Sequence, residues 1–100
     1  MLWYCKFTWH HGTTATQVRR RVVECHDAGT NHPEKIRGWY NLAGGGAGFL
    51  LIEANDPREL NDILEPYMDL VSFDVRAVYE MPYQETVSAF RQKETATSRR

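Results

Sequence analysis

Four histidines, His10, His11, His26 and His32, fall in the first third of the chain, and they are the residues whose chemistry is most readily named. Imidazole ligates zinc, copper, iron and nickel, and ligands drawn from separate elements are the usual way to build such a site. His10 and His11 are adjacent, however, so on a regular strand their rings leave on opposite faces, which makes a shared first coordination shell awkward. A helix C-terminus also favours a protonated imidazole without any ligand. The four histidines are therefore candidate metal or haem ligands set against a more ordinary role on the surface, and no cofactor is expected.

A second group is aromatic. Trp3, Tyr4, Phe7, Trp9, Trp39 and Tyr40 are dense for so short a stretch. Aromatic walls with a few polar tips are the usual lining of a pocket for an apolar or aromatic small molecule. Trp9, His10, Trp39 and Tyr40 are the candidate ligand-binding residues, against the alternative of core and subunit interface. If the protein is an enzyme, His10, Tyr40, Asn41 and Glu53 are the groups around an aromatic substrate, with Glu53 expected to carry a raised pKa from partial burial.

Other motifs argue against chemistry. Cys5 and Cys25 fall on apolar faces, make no CxxC or finger spacing, and read as reduced core thiols of a cytoplasmic protein. The glycines at 44–46 and 48 precede a strand, whereas a phosphate cradle opens onto a helix N-terminus. Arg19, Arg20 and Arg21 cannot share one helix face, and Glu24 and Asp27 follow at ion-pairing distance. A net charge of −1 supplies no basic field for nucleic acid or an anionic membrane. The longest uncharged run, 38–52, is interrupted by Asn41 and the glycines and is shorter than a membrane span of about 18 residues.

These residues must be held by elements that the pattern also dictates. Residues 2–9 alternate with period two, odd positions apolar, and predict a strand. Thr14 and Gln17 have capping-box spacing, and Ala15, Val18, Val22 and Cys25 form the stripe of a helix over 15–28 that Gly29 ends. Residues 35–42 predict a strand with Ile36, Tyr40 and Leu42 on one face, and a glycine-rich hairpin joins it to an apolar strand over 47–54. Asp56 and Pro57 open a second helix whose stripe is Leu60, Ile63, Leu64 and Tyr67, with Pro66 at its end. Val71, Phe73, Val75, Ala77 and Tyr79 alternate with polar residues in a last strand. The order is βαββαβ, an α+β fold of the ferredoxin-like type: a four-stranded antiparallel sheet with two helices on one face, one domain over 1–92 and a polar, mobile tail over 93–100. Leu2 and Tyr4 on the face opposite Trp3 and Cys5, with a third strand apolar on both sides, leave a second sheet face to be covered. A second copy of the chain is the expected partner, with charges at Tyr4 and Leu50 expected to weaken the dimer.

Gly48-Phe49-Leu50-Leu51-Ile52-Glu53-Ala54-Asn55-Asp56-Pro57 and Asp69-Leu70-Val71-Ser72-Phe73-Asp74-Val75-Arg76-Ala77-Val78 resemble the strand, acidic cap and "D-L-V-x-F-x-V" pattern of an uncharacterised bacterial domain family in the dimeric α+β barrel superfamily. That superfamily also contains small monooxygenases, muconolactone isomerase, haem-degrading enzymes and stress-responsive barrel proteins. The resemblance implies the ferredoxin-like fold and a two-fold dimer and carries no activity with it. The function expected is a homodimer binding a small hydrophobic molecule, with a cofactor-free monooxygenase or isomerase and a histidine-based metal or haem protein as alternatives.

Overall fold

The computed structural model describes residues 1–98. In chain order the elements are β1 (Leu2–Trp9), α1 (Ala15–Ala28), β2 (Ile36–Asn41), β3 (Ala47–Glu53), α2 (Pro57–Leu64), β4 (Val71–Val78) and α3 (Tyr83–Ser98). The sheet order is β2-β3-β1-β4, every neighbour antiparallel. This is an α+β, ferredoxin-like arrangement, with a third helix added at the C-terminal end.

The local signals act as their chemistry requires. The Thr14 hydroxyl accepts from the Gln17 N–H at 3.2 Å while the Thr14 N–H donates to Gln17 Oε1 at 2.9 Å, so two orphan donors at the start of α1 are satisfied reciprocally. Gly29 closes that helix at φ 74°. Asp56 accepts from the Glu59 N–H at 2.9 Å, and Pro57 begins α2 where no N–H is needed. Past Leu64 the chain tightens into a 3₁₀ turn, Glu65–Tyr67, because Pro66 cannot continue the α-helical ladder.

The buried centre joins Cys5, Ile52 and Ala54 of the sheet side to Leu60, Ile63 and Leu64 of α2. Each of those α2 side chains contributes about 1.5–3 kcal/mol by leaving water. Trp3 donates its indole N–H to the Ala54 carbonyl at 3.2 Å, which ties β1 to the chain entering α2.

Three features depart from the sequence reading. The β2–β3 register skips between Ile36 and Gly38, so a bulge at Arg37 changes the phase of β2. Ile36 then shares the helix-side face with Trp39 and Asn41, and Tyr40 turns to the opposite face. Leu50 pairs with Cys5 and therefore lies on the helix side, while Leu51, opposite Tyr4, carries the other face. Finally, residues 93–98, expected as tail, belong to α3; the remainder of that tail, 99–100, lies outside the described residues. Nearly all of α3 is exposed, and the molecule is elongated, 61 × 28 × 19 Å.

Candidate functional site: an apolar cleft under the first helix

α2 seals its end of the sheet, but α1 does not seal the other. Only Cys25 of α1 is buried, and Val18 and Val22 of its stripe remain half-buried. Below them lie large side chains of the sheet, Phe7, Trp9, Leu50 and Phe73, with Trp39 from β2. Short valines facing large rings leave space between the layers, and the result is a half-open cleft of about 570 Å³. That size is in the range of sites for small organic molecules.

The polar groups of the cleft are few. His26, Asn31, Asn41 and Tyr67 are among its lining residues, which include no aspartate, glutamate, lysine or arginine. Tyr67 donates its hydroxyl proton to Asn31 Oδ1, and Asn31 Nδ2 donates to the Val22 carbonyl at 3.2 Å. The phenol is thereby fixed by the end of α1 and the loop that follows it. Burial, reinforced by the neighbouring Cys25, pushes the Tyr67 hydroxyl well above the usual phenol range, so it stays neutral. On the same layer, burial pushes the Cys5 thiol up to about 11, which keeps it protonated and poorly nucleophilic.

The structure divides the residues that the sequence had grouped. Trp9, Trp39 and Asn41 line the cleft; His10 and Tyr40 do not. Tyr40 stacks on Phe49 across the opposite sheet face, ring centroids 4.9 Å apart, and Tyr4 meets the other side of Phe49 at 5.2 Å. His10 is held at the sheet end, Nδ1 at 3.0 Å from the Asp69 carbonyl and Nε2 at 2.8 Å from Ser72 Oγ. With Nδ1–H donated to the carbonyl, Nε2 accepts from the serine, and the ring braces β1 against β4. Ser72 pairs with Thr8 on the face turned away from the cleft, so this brace does not reach a ligand there.

Glu53 lies on the face opposite the cleft and accepts an ion pair from the Met1 ammonium at 2.9 Å. That ammonium holds its carboxyl below the usual range, the reverse of the raised value expected for a proton-transfer role. The histidines do not converge either. His11 is exposed in a turn, His26 lies at the cleft, and His32, at φ 51°, faces Glu34 with Nδ1 at 3.4 Å. Among the described residues no three side chains of histidine, cysteine, aspartate or glutamate are grouped to hold a metal. Of the three consecutive arginines, Arg21 turns inward and binds both oxygens of Asp69, at 2.6 and 2.9 Å, and the Pro66 carbonyl.

Asn31 escaped sequence reasoning as a site residue because it sits in a loop with no periodicity, and Tyr67 was read as core. Their one legible signal was amphipathic: a phenol on an apolar stripe needs a polar partner, and Asn31 supplies it.

No curated protein matches the chain. A family model described as "Domain of unknown function (DUF3303)" matches residues 1–94, nearly the whole sequence. The chain therefore belongs to the DUF3303 family.

Proposed function

We propose that this protein binds a small hydrophobic or aromatic molecule in the cleft between α1 and the sheet, and does so as a homodimer. The cleft itself carries the reading: about 570 Å³ walled by Trp9, Trp39, Phe7 and Phe73 and bordered by a few polar groups, none of them a carboxylate, lysine or arginine. Left open to water, such walls are costly, and an apolar occupant removes that cost. Binding is favoured over turnover because three of the four groups expected around a substrate, His10, Tyr40 and Glu53, stand outside the cleft, and the fourth, Asn41, lines it but is neither acid nor base. A metal or haem role has less support still, since the four histidines point to separate places.

Indole is a suitable first probe. It should quench tryptophan emission saturably and raise the melting temperature, because a ligand bound only to the native state stabilises it by mass action. Val22→Trp, which places a large side chain into the cleft, should abolish both effects while leaving the circular dichroism spectrum unchanged. Linear, collisional quenching with an unmoved melting temperature would remove the reading.

The homodimer rests on the other sheet face. There Tyr4, Phe49 and Tyr40 form a continuous aromatic stripe beside Leu51, with Tyr40 54% exposed. Lys6 and Arg76 flank it together with Asp74 and Glu53, so two copies related by a two-fold axis can set acids against bases. Light scattering should report twice the chain mass, and Leu51→Glu should reduce it to one. Leu50, on the cleft side, is not the position to test. Buried free thiols at Cys5 and Cys25 fit a cytoplasmic setting.

A further inference from the structure

We infer that the cleft selects a neutral polycyclic aromatic bearing a hydroxyl group, in preference both to the bare hydrocarbon and to the matching carboxylate. This rests on the cleft being a binding site, and it follows from which hydrogen-bonding capacities the lining leaves unspent.

Charge is decided first. No lining residue is a permanent cation or anion, and the basic residues next to the lining in sequence are turned away from it, Lys6 on the other sheet face and Arg19 on the exposed side of α1, or engaged elsewhere. Arg21, beside Val22, is spent on Asp69 and the Pro66 carbonyl. Lys35, beside Ile36, pairs with Glu59, and Arg37 donates to the Glu34 carbonyl at 3.0 Å. An ionised carboxylate entering the cleft would lose water without gaining a fixed counter-charge, which is the most expensive form of burial. His26 is the lining side chain that could acquire charge, and it is exposed.

The hydroxyl follows from Tyr67. Its proton is committed to Asn31 Oδ1, so its oxygen can offer a ligand only lone pairs and asks for a donor. Burial keeps that phenol neutral, so the capacity does not change across the ordinary pH range. The indole N–H groups of Trp9 and Trp39 make no hydrogen bond to the described residues and reach solvent, so they impose no requirement of their own, whereas that of Trp3 is satisfied by Ala54. A ligand hydroxyl is the smallest group that can give a proton to the Tyr67 oxygen. A carbonyl can only accept, and a hydrocarbon does neither. Size sets the remainder, since a half-open cleft of about 570 Å³ has room for more than a single ring.

The test is a matched series of naphthalene, 2-naphthol and 2-naphthoate, titrated by tryptophan quenching and by calorimetry. 2-Naphthol should bind about five- to tenfold more tightly than naphthalene, the worth of one well-made hydrogen bond, and at least tenfold more tightly than 2-naphthoate. Tyr67→Phe should erase the advantage of 2-naphthol over naphthalene and leave naphthalene affinity within about twofold. His26→Gln should leave the order of the three unchanged. If naphthalene and 2-naphthol bind equally, if 2-naphthoate binds best, or if Tyr67→Phe preserves the preference, the selection inferred here fails while the cleft stands. If none of the three binds saturably, the cleft reading itself fails. Should Tyr67→Phe not fold, the order of affinities in the unmodified protein decides the matter alone.

Discussion

Gly48→Ala tests the packing on which the cleft floor depends. Gly48 is buried in β3 between β1 and β2, opposite Phe7 on one side and Asn41 on the other. A Cβ added there would collide with the Tyr40 carbonyl oxygen, would lie 2.5 Å from Phe7 Cζ and would lie 3.0 Å from Asn41 Cα. The phenyl ring can rotate away, into the cleft, but the backbone atoms cannot move without opening the β2–β3 ladder. Overpacking of this kind costs about 2–3 kcal/mol. In a domain this small that lowers the melting temperature by roughly 10–20 °C. Gly45→Ala is the control, because Gly45 lies in the hairpin at φ 85° with no atom near its Cβ position. Its cost is confined to left-handed strain, about 1 kcal/mol. Thermal and urea unfolding followed by far-ultraviolet circular dichroism would measure both. Adding Phe7→Leu to Gly48→Ala should recover only the part due to the ring. A Gly48→Ala protein within about 0.5 kcal/mol of the parent, or one fully rescued by Phe7→Leu, would refute the close approach of β2 and β3 and with it the placement of Trp39 over the cleft.

Three further outcomes follow from the same structure. Asp56→Ala removes the side chain that accepts from the Glu59 N–H and should cost about 1 kcal/mol in chemical denaturation, whereas Asp56→Asn should cost little. Cys5 and Cys25 are 0% and 6% exposed, and Cys5 is held protonated, so a thiol reagent at neutral pH should react only as fast as the protein opens; rapid labelling of the folded chain would contradict both placements. The Arg21 guanidinium holds the Asp69 carboxyl below its ordinary value of 3.8, so the stabilisation from this pair is complete above that value and disappears as pH falls through the lower folded one. Arg21→Gln should therefore flatten that acid limb of the stability profile, and an unchanged limb would show that the pair is not made in solution.

The elements were legible wherever a residue type has one physical use. Thr14 with Gln17, Gly29, Asp56 with Pro57, and the strict alternation of 71–78 each name a cap, a stop, a start or a strand, and each does that in the fold. The errors share a different cause. Period-two reasoning assumes an unbroken strand, and the bulge at Arg37 leaves no mark in residue type, so Tyr40 was assigned to the face of Ile36. In β3 apolar residues occupy both faces, so alternation could not say whether Leu50 or Leu51 faced the helices; only the pairing with Cys5 and Tyr4 decides it. α3 went unread because a helix that buries almost nothing has no apolar stripe to show, although Gln84, Glu85, Gln92, Lys93 and Glu94 are residues that helices accept readily.

The cleft was the least legible feature, and the reason lies in a mismatch between two stripes that each look like ordinary core. Val18, Val22 and Cys25 satisfy every sign of a helix face destined for burial, and Phe7, Trp9 and Phe73 those of a sheet face. Only their volumes, short β-branched side chains above and broad rings beside them, show that the layers cannot close on each other at α1 as Leu60, Ile63 and Leu64 close at α2. In a core selected for packing alone, such a gap forfeits dispersion contacts on both sides and would be filled by larger side chains. Here the sequence sets valines against tryptophans and positions Asn31 and Tyr67 within the same space. Under the binding role proposed for the protein, the half-buried state of α1 is room kept for an occupant, and saturable binding of a probe there separates that account from imperfect packing.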